Sequence, residues 1–280
     1  MSLGWDWAAR CRALGGNPTR ELFEEAVAAG AAAVPLMVDI LSRRAWREGR
    51  PDVCALLPVH AMRVLAEIEE PGAIPALVGV LCDPVDPAVH GEEAALALAR
   101  LGAEMLPPVT RVLRDRTLDT WVRAGAGRAL VFAAAIDTGL RPRVLEELAH
   151  VLGDPAETDR LFVAQVVHDA CLLGAIEIVP SIEAAFLGDR VDPEFIDPYG
   201  ADTHLHRTEK ELDPEVVDLI SRDVRAEYLS WSDLEAGLPA EDLAMIAALV
   251  DAASREESPP PEEDELIDDD EEGPPESKDA

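Results

Sequence analysis

Five prolines, Pro35, Pro75, Pro107, Pro142 and Pro180, recur 32 to 40 residues apart, and an apolar stretch follows each of them. Proline suits the first turn of a helix, where its missing N–H would have no partner anyway. Apolar residues then fall at helical spacing, as in Ile74, Leu77, Val78 and Leu81, in Leu106, Val109 and Val112, and in Val179, Ile182 and Phe186. These stretches read as the second helices of helix pairs. Longer first helices are expected at Asp52–Glu69, Asp86–Leu101, Leu118–Asp137 and Thr158–Leu173, with the earliest pair at Pro18–Ala28 and Ala31–Arg43. Asn17 and Asp86 stand where N-caps are expected, and Asp154–Glu157 has the spacing of a capping box. No segment reads as a strand.

A recurring helix pair cannot bury its apolar face alone, so such pairs stack side by side. The expected fold is therefore all-α. The array is expected over residues 1–190, in about five helix pairs. An acidic, proline-containing connection over 191–213 follows it, then two closing helices within 214–254, and a disordered tail over 255–280. That tail carries five prolines, thirteen acids and no aromatic residue, a composition that cannot build a core.

The proline period and the stretches GAIPALVGVL (72–81) and RLGAEMLPPVTRVL (100–113) resemble HEAT-like repeats of the short type named after phycobilisome lyases. The stretches RELFEEAVAAG (20–30), PVHAMRVLAEIEEPGAIPALV (58–78) and EAAFLGDRVDPEFID (183–197) resemble an uncharacterised bacterial HEAT-like family. The resemblance implies a right-handed α-solenoid whose concave face is lined by second helices, with protein binding as the commonest role. Some members of the class act on bilin chromophores, and a few repair alkylated DNA. Fold alone does not choose among these.

Charge narrows the choice. Acids outnumber bases 56 to 24, a net charge of −32, which opposes general nucleic-acid binding. The basic residues are concentrated. Residues 111–143 hold Arg111, Arg114, Arg116, Arg123, Arg128, Arg141 and Arg143 against Asp115, Asp119 and Asp137. Guanidinium forks suit carboxylate or phosphate. A second cluster, Arg43, Arg44, Arg47 and Arg50, surrounds Trp46. From their places on second helices, the residues expected to hold a protein partner in the groove are Arg111, Arg114 and Arg143 with Asp39, Glu146, Glu147 and Glu183. The acidic tail has three readings: a solubility appendage, a grip on a basic partner, or a segment that folds back on the arginine groove.

No reaction chemistry emerges. Neither GxxxxGK[ST] nor GxGxxG is present, and Gly125 and Gly127 read as sites of close helix packing. His204 and His206 form an HxH with Asp202 and Glu209 nearby, short of a third protein ligand from a recognised pattern. Cys54 and His60 lie six residues apart, too far for an i,i+4 pair. No metal or cofactor is expected. Trp5 and Trp7 read as a cap on the first helices.

The expected function is a non-enzymatic scaffold or adaptor. The alternatives are a small-ligand protein of bilin-lyase type, with His60 or Cys54 as its titrating group, and a binder that neutralises a basic partner. The four cysteines form no CxxC, Asp6 and Arg10 interrupt the N-terminal stretch, and the longest apolar run, Ala124–Ile136, spans 13 residues and includes Arg128. A membrane span needs about 20. A cytoplasmic protein is expected, with no membrane partner.

Overall fold

A computed structural model describes residues 4–14, 18–43, 56–83, 87–208, 212–230, 232–233, 237 and 239–253. The described residues are helical throughout, with no strand among them. No single helix among them is long and apolar enough to cross a membrane.

After α1 (Gly4–Ala13), five helix pairs follow: α2 (Arg20–Ala28) with α3 (Val34–Ser42), α4 (Leu57–Ile68) with α5 (Ile74–Leu81), α6 (Glu92–Arg100) with α7 (Leu106–Arg114), α8 (Thr120–Ile136) with α9 (Arg141–Gly153), and α10 (Arg160–Leu172) with α11 (Val179–Leu187). One joint recurs in all five. A short 3₁₀ turn (30–32, 71–73, 102–105, 138–140 or 176–178) ends each first helix, and the second helix starts with proline in its first turn. In three joints the chain reverses through a left-handed residue that only glycine adopts without penalty, Gly30 at φ 56°, Gly102 at φ 67° and Gly174 at φ 59°. Glu69 takes the same conformation at φ 56°, as the C-cap of α4.

Polar side chains cap three of the five first helices. Thr19 Oγ1 accepts from Leu22 N, Asp119 from Trp121 N, and Asp159 from Phe162 N. Two expectations change here. Asp159, not Asp154, caps α10; Asp154 closes a turn onto Ala156 N, and the Glu157 side chain is drawn into the core. Asn17 and Asp86 lie outside the described residues. The pairs share one aliphatic core, and Trp7 joins it, its Nε1 donating to Leu22 O at 2.9 Å. Gly125 and Gly127 do serve close packing. A Cβ on Gly125 would meet Leu81 Cδ1 at 2.9 Å, and one on Gly127 would meet Asp169 Oδ2 at 2.9 Å.

The remainder departs from the expected plan. Residues 191–213 are not merely a connection, because α12 (Pro198–Thr208) lies within them. Its apolar signal is one pair, Ala201 and Leu205, four apart and both buried. The helix expected from Pro214 to Leu229 is two pieces, α13 (Pro214–Ser221) and a 3₁₀ turn at 224–227. These elements do not seal the end of the array. They run back across the first helices in reverse order. Asp213 N donates to Leu172 O of α10, and α13 packs on α8. Arg100 of α6 donates to Ile220 O, Arg222 reaches Glu93 of α6 at 3.2 Å, and Arg225 reaches Glu67 of α4 at 2.9 Å. The 224–227 turn then meets α2, Arg20 N donates to Leu229 O, and α14 (Ala240–Ala253) packs on α1.

Tyr228 is the anchor of this returning strap. It is 4% exposed, stacks on Phe23 with ring centroids 4.5 Å apart, and its hydroxyl hydrogen-bonds to His60 Nδ1 at 2.8 Å. Burial pushes its phenol up to about 12, so it stays protonated at neutral pH. Arg63 ties the strap further, lying 2.5 Å from Glu93 and 3.3 Å from Glu227.

Candidate functional site

The strap covers the first helices, which leaves the second helices to face outward. Helix α7 shows how such a surface arises. Its sequence LPPVTRVLR buries Leu106, Val109, Val112 and Leu113, and so turns Pro107, Arg111 and Arg114 to solvent. On one flank of α7 a cleft of about 560 Å³ opens toward α5, walled by Pro71, Ile74, Pro75, Val78, Pro108 and Val112, with Arg111 as its charged residue. On the other flank a smaller cleft of about 240 Å³ opens toward α9, lined by Leu106, Pro107, Thr110, Arg143 and Glu147. Prolines supply much of the wall because every second helix begins with one.

The arginine cluster divides into two classes. Arg114 lies 2.5 Å from Glu147, Arg128 2.8 Å from Asp169, and Arg141 3.0 Å from Glu177. Arg116 pairs with Asp154. Arg123 is 2% exposed; it pairs with buried Glu157 at 2.5 Å, donates to Leu113 O, and lies 3.6 Å above the Phe162 ring. These five are neutralised within the fold. Arg111 and Arg143 are exposed and have no carboxylate within 4 Å among the described residues; Arg111 donates only to Pro107 O of its own helix. A pair of uncommitted guanidinium groups therefore borders the two clefts, one on each side of α7.

The other expected site residues fare unequally. All seven sit on second helices as expected. Asp39 is on α3, held by Arg43 at 3.1 Å. Glu147 lines the α7–α9 cleft but is committed to Arg114, and Glu146 and Glu183 are exposed and line neither cleft. The structure thus brings together Arg111, Arg114, Arg143 and Glu147, and leaves Asp39, Glu146 and Glu183 apart. Arg44, Trp46, Arg47 and Arg50 lie outside the described residues. The apolar walls were not among the expected site features. Their signal was the proline period itself, since prolines at the starts of neighbouring helices come to line one surface.

The histidine patterns resolve differently. His204 and His206 lie on α12, two residues apart, so they project to different faces. His204 Nδ1 stands 4.0 Å from Asp213, and His206 pairs with Asp202 on the exposed side. No group of three or more metal-ligating side chains occurs among the described residues. His168 faces His204 and Phe195, at centroid distances of 6.3 and 5.8 Å, over a cleft of about 410 Å³. Burial lowers its pKa, so the imidazole is held neutral. His60 is buried beneath the strap, and Cys54 lies outside the described residues.

Comparison with curated proteins finds no match, and comparison with solved structures finds none. A family model matches residues 15–231, a span that takes in all five helix pairs and the strap and ends before α14. On that match the chain belongs to the family described as Protein of unknown function (DUF1186).

Proposed function

We propose that this protein is a non-enzymatic interaction module, and that the α5–α7–α9 face holds an acidic, apolar segment of a partner protein. One observation carries the reading: Arg111 stands exposed at the rim of an otherwise apolar cleft and Arg143 beside the neighbouring one, neither with a carboxylate within 4 Å among the described residues, on the side the strap leaves free. An apolar cleft with few polar groups supplies burial, and the guanidinium forks supply register and sign. The reading takes the helix pairs as a right-handed, HEAT-like solenoid, supported by the shared joint and by contacts between successive first helices. It differs from the bilin-lyase alternative in the fate of His60, which the strap engages through Tyr228. Free thiols at Cys11, Cys82 and Cys171 support a reducing, cytoplasmic setting.

A peptide-library selection tests it. Peptides with Asp and Glu around Leu or Ile are offered beside the same peptides with Lys and Arg. The full chain should enrich the acidic set, and Arg111→Glu/Arg143→Glu should lose that enrichment. Enrichment of the basic set, or acidic enrichment that survives in the variant, would overturn the reading. The first of these outcomes would favour the neutralising alternative.

A further inference from the structure

We infer that the chain carries an occupant for this face itself: residues 258–272, SPPPEEDELIDDDEE, dock in cis in the α5–α7 cleft and screen it from partners. The inference rests on the reading of that face given above. Three observations converge on it. The first is chemical. Leu266 and Ile267 are the apolar pair of an otherwise acidic run, and the cleft offers an apolar wall with Arg111 on its rim and Arg143 on the next helix. The second is charge. The tail carries 13 of the 56 acids, while Arg111 and Arg143 are the cations of the 111–143 cluster that the described fold leaves without carboxylates. The third is reach. The described chain ends at Ala253 on α14, which packs on α1. From α1 to α7 is three steps between neighbouring helix pairs, about 30 Å at about 10 Å each. Thirteen residues of extended chain span about 43 Å at ~3.3 Å per residue.

Tethering makes a weak contact effective. At an effective concentration of about 1 mM, a tail with a Kd of ~100 µM fills the cleft about nine-tenths of the time, and releasing it raises partner affinity about tenfold.

The experiment uses the full chain with a photo-crosslinking amino acid at Val78, on the α5 wall of the cleft that Arg111 borders. Crosslinked peptides are mapped in an equal mixture of isotopically light and heavy protein. Crosslinks to residues 255–280 within one molecule, several-fold weaker at high salt and in Arg111→Glu/Arg143→Glu, are the expected result. No crosslink to 255–280, or crosslinks only between light and heavy copies, would overturn cis docking. A second arm replaces the acids of residues 262–272 by their amides and repeats the library selection. Affinity for the enriched acidic peptides should then rise about tenfold; unchanged affinity would also overturn it. Failure here with the library result intact removes only the cis occupant. Failure of the library selection itself removes the face.

Discussion

Replacing Tyr228 tests whether the returning strap is a structural part of the fold. The residue is 4% exposed, stacked on Phe23 at 4.5 Å and hydrogen-bonded to His60 at 2.8 Å. Tyr228→Phe keeps the stack and deletes one buried hydrogen bond, leaving His60 Nδ1 without that partner; the expected cost is about 1–2 kcal/mol. Tyr228→Ala also removes the ring, and buried aromatic truncations cost about 3–5 kcal/mol. Urea unfolding gives both values, and amide exchange gives their location. Exchange should accelerate first at the Arg20 amide, which donates to Leu229 O, and through residues 222–230. The α8 core around Leu130 should stay the best protected. A Tyr228→Ala variant within about 0.5 kcal/mol of the parent, or exchange raised uniformly along the chain, would refute the anchoring role.

The other predictions concern groups buried by the helix pairs. Arg123→Met removes the buried partner of Glu157, leaving it the exposed Arg116 at 3.6 Å, and should cost up to about 3–5 kcal/mol by urea unfolding, while Arg123→Met/Glu157→Leu should cost less than that single change; a double variant less stable than the single would contradict the pairing argument. Gly127→Ala pushes a methyl to 2.9 Å from the Asp169 carboxylate that Arg128 holds, and should cost about 1–3 kcal/mol, against no loss if α8 and α10 slide apart freely. His168 faces His204 on α12, Asp169 on its own helix, Arg128 on α8 and Glu215 on α13, and burial keeps it neutral. The unfolded chain binds its proton first, so the stability this group contributes is full above about pH 6.5 and falls as pH drops below that. His168→Gln should therefore flatten the stability profile between about pH 7.5 and 5.5; an unchanged slope would show that other groups set it.

The five second helices were legible because proline in the first turn and apolar spacing mark a helix start without any tertiary context. The first helices were legible for a similar reason, although Asp119 and Asp159 set two boundaries more tightly than the apolar stripe did. The strap was not legible. Its helix α12 has only Ala201 and Leu205 as an inward signal, and its contacts join residues more than a hundred positions apart, such as Arg222 with Glu93 and Tyr228 with His60. Local periodicity carries no information about such pairings. At the candidate site, the concentration of arginine was visible in the sequence. What separated Arg111 and Arg143 from the other five was the placement of Glu147, Asp154, Glu157, Asp169 and Glu177 on neighbouring elements, which only the fold supplies.

The most direct test of the account is capture from native lysate by the full chain and by Arg111→Glu/Arg143→Glu, with urea unfolding run on both. Both arginines are exposed and have no acidic partner among the described residues, so the variant should keep its stability within about 0.5 kcal/mol. A specific protein held by the parent, released by high salt and missing from the equally stable variant is the predicted result. The same protein captured undiminished by the variant would contradict the claim that the α5–α7–α9 face is where this protein binds.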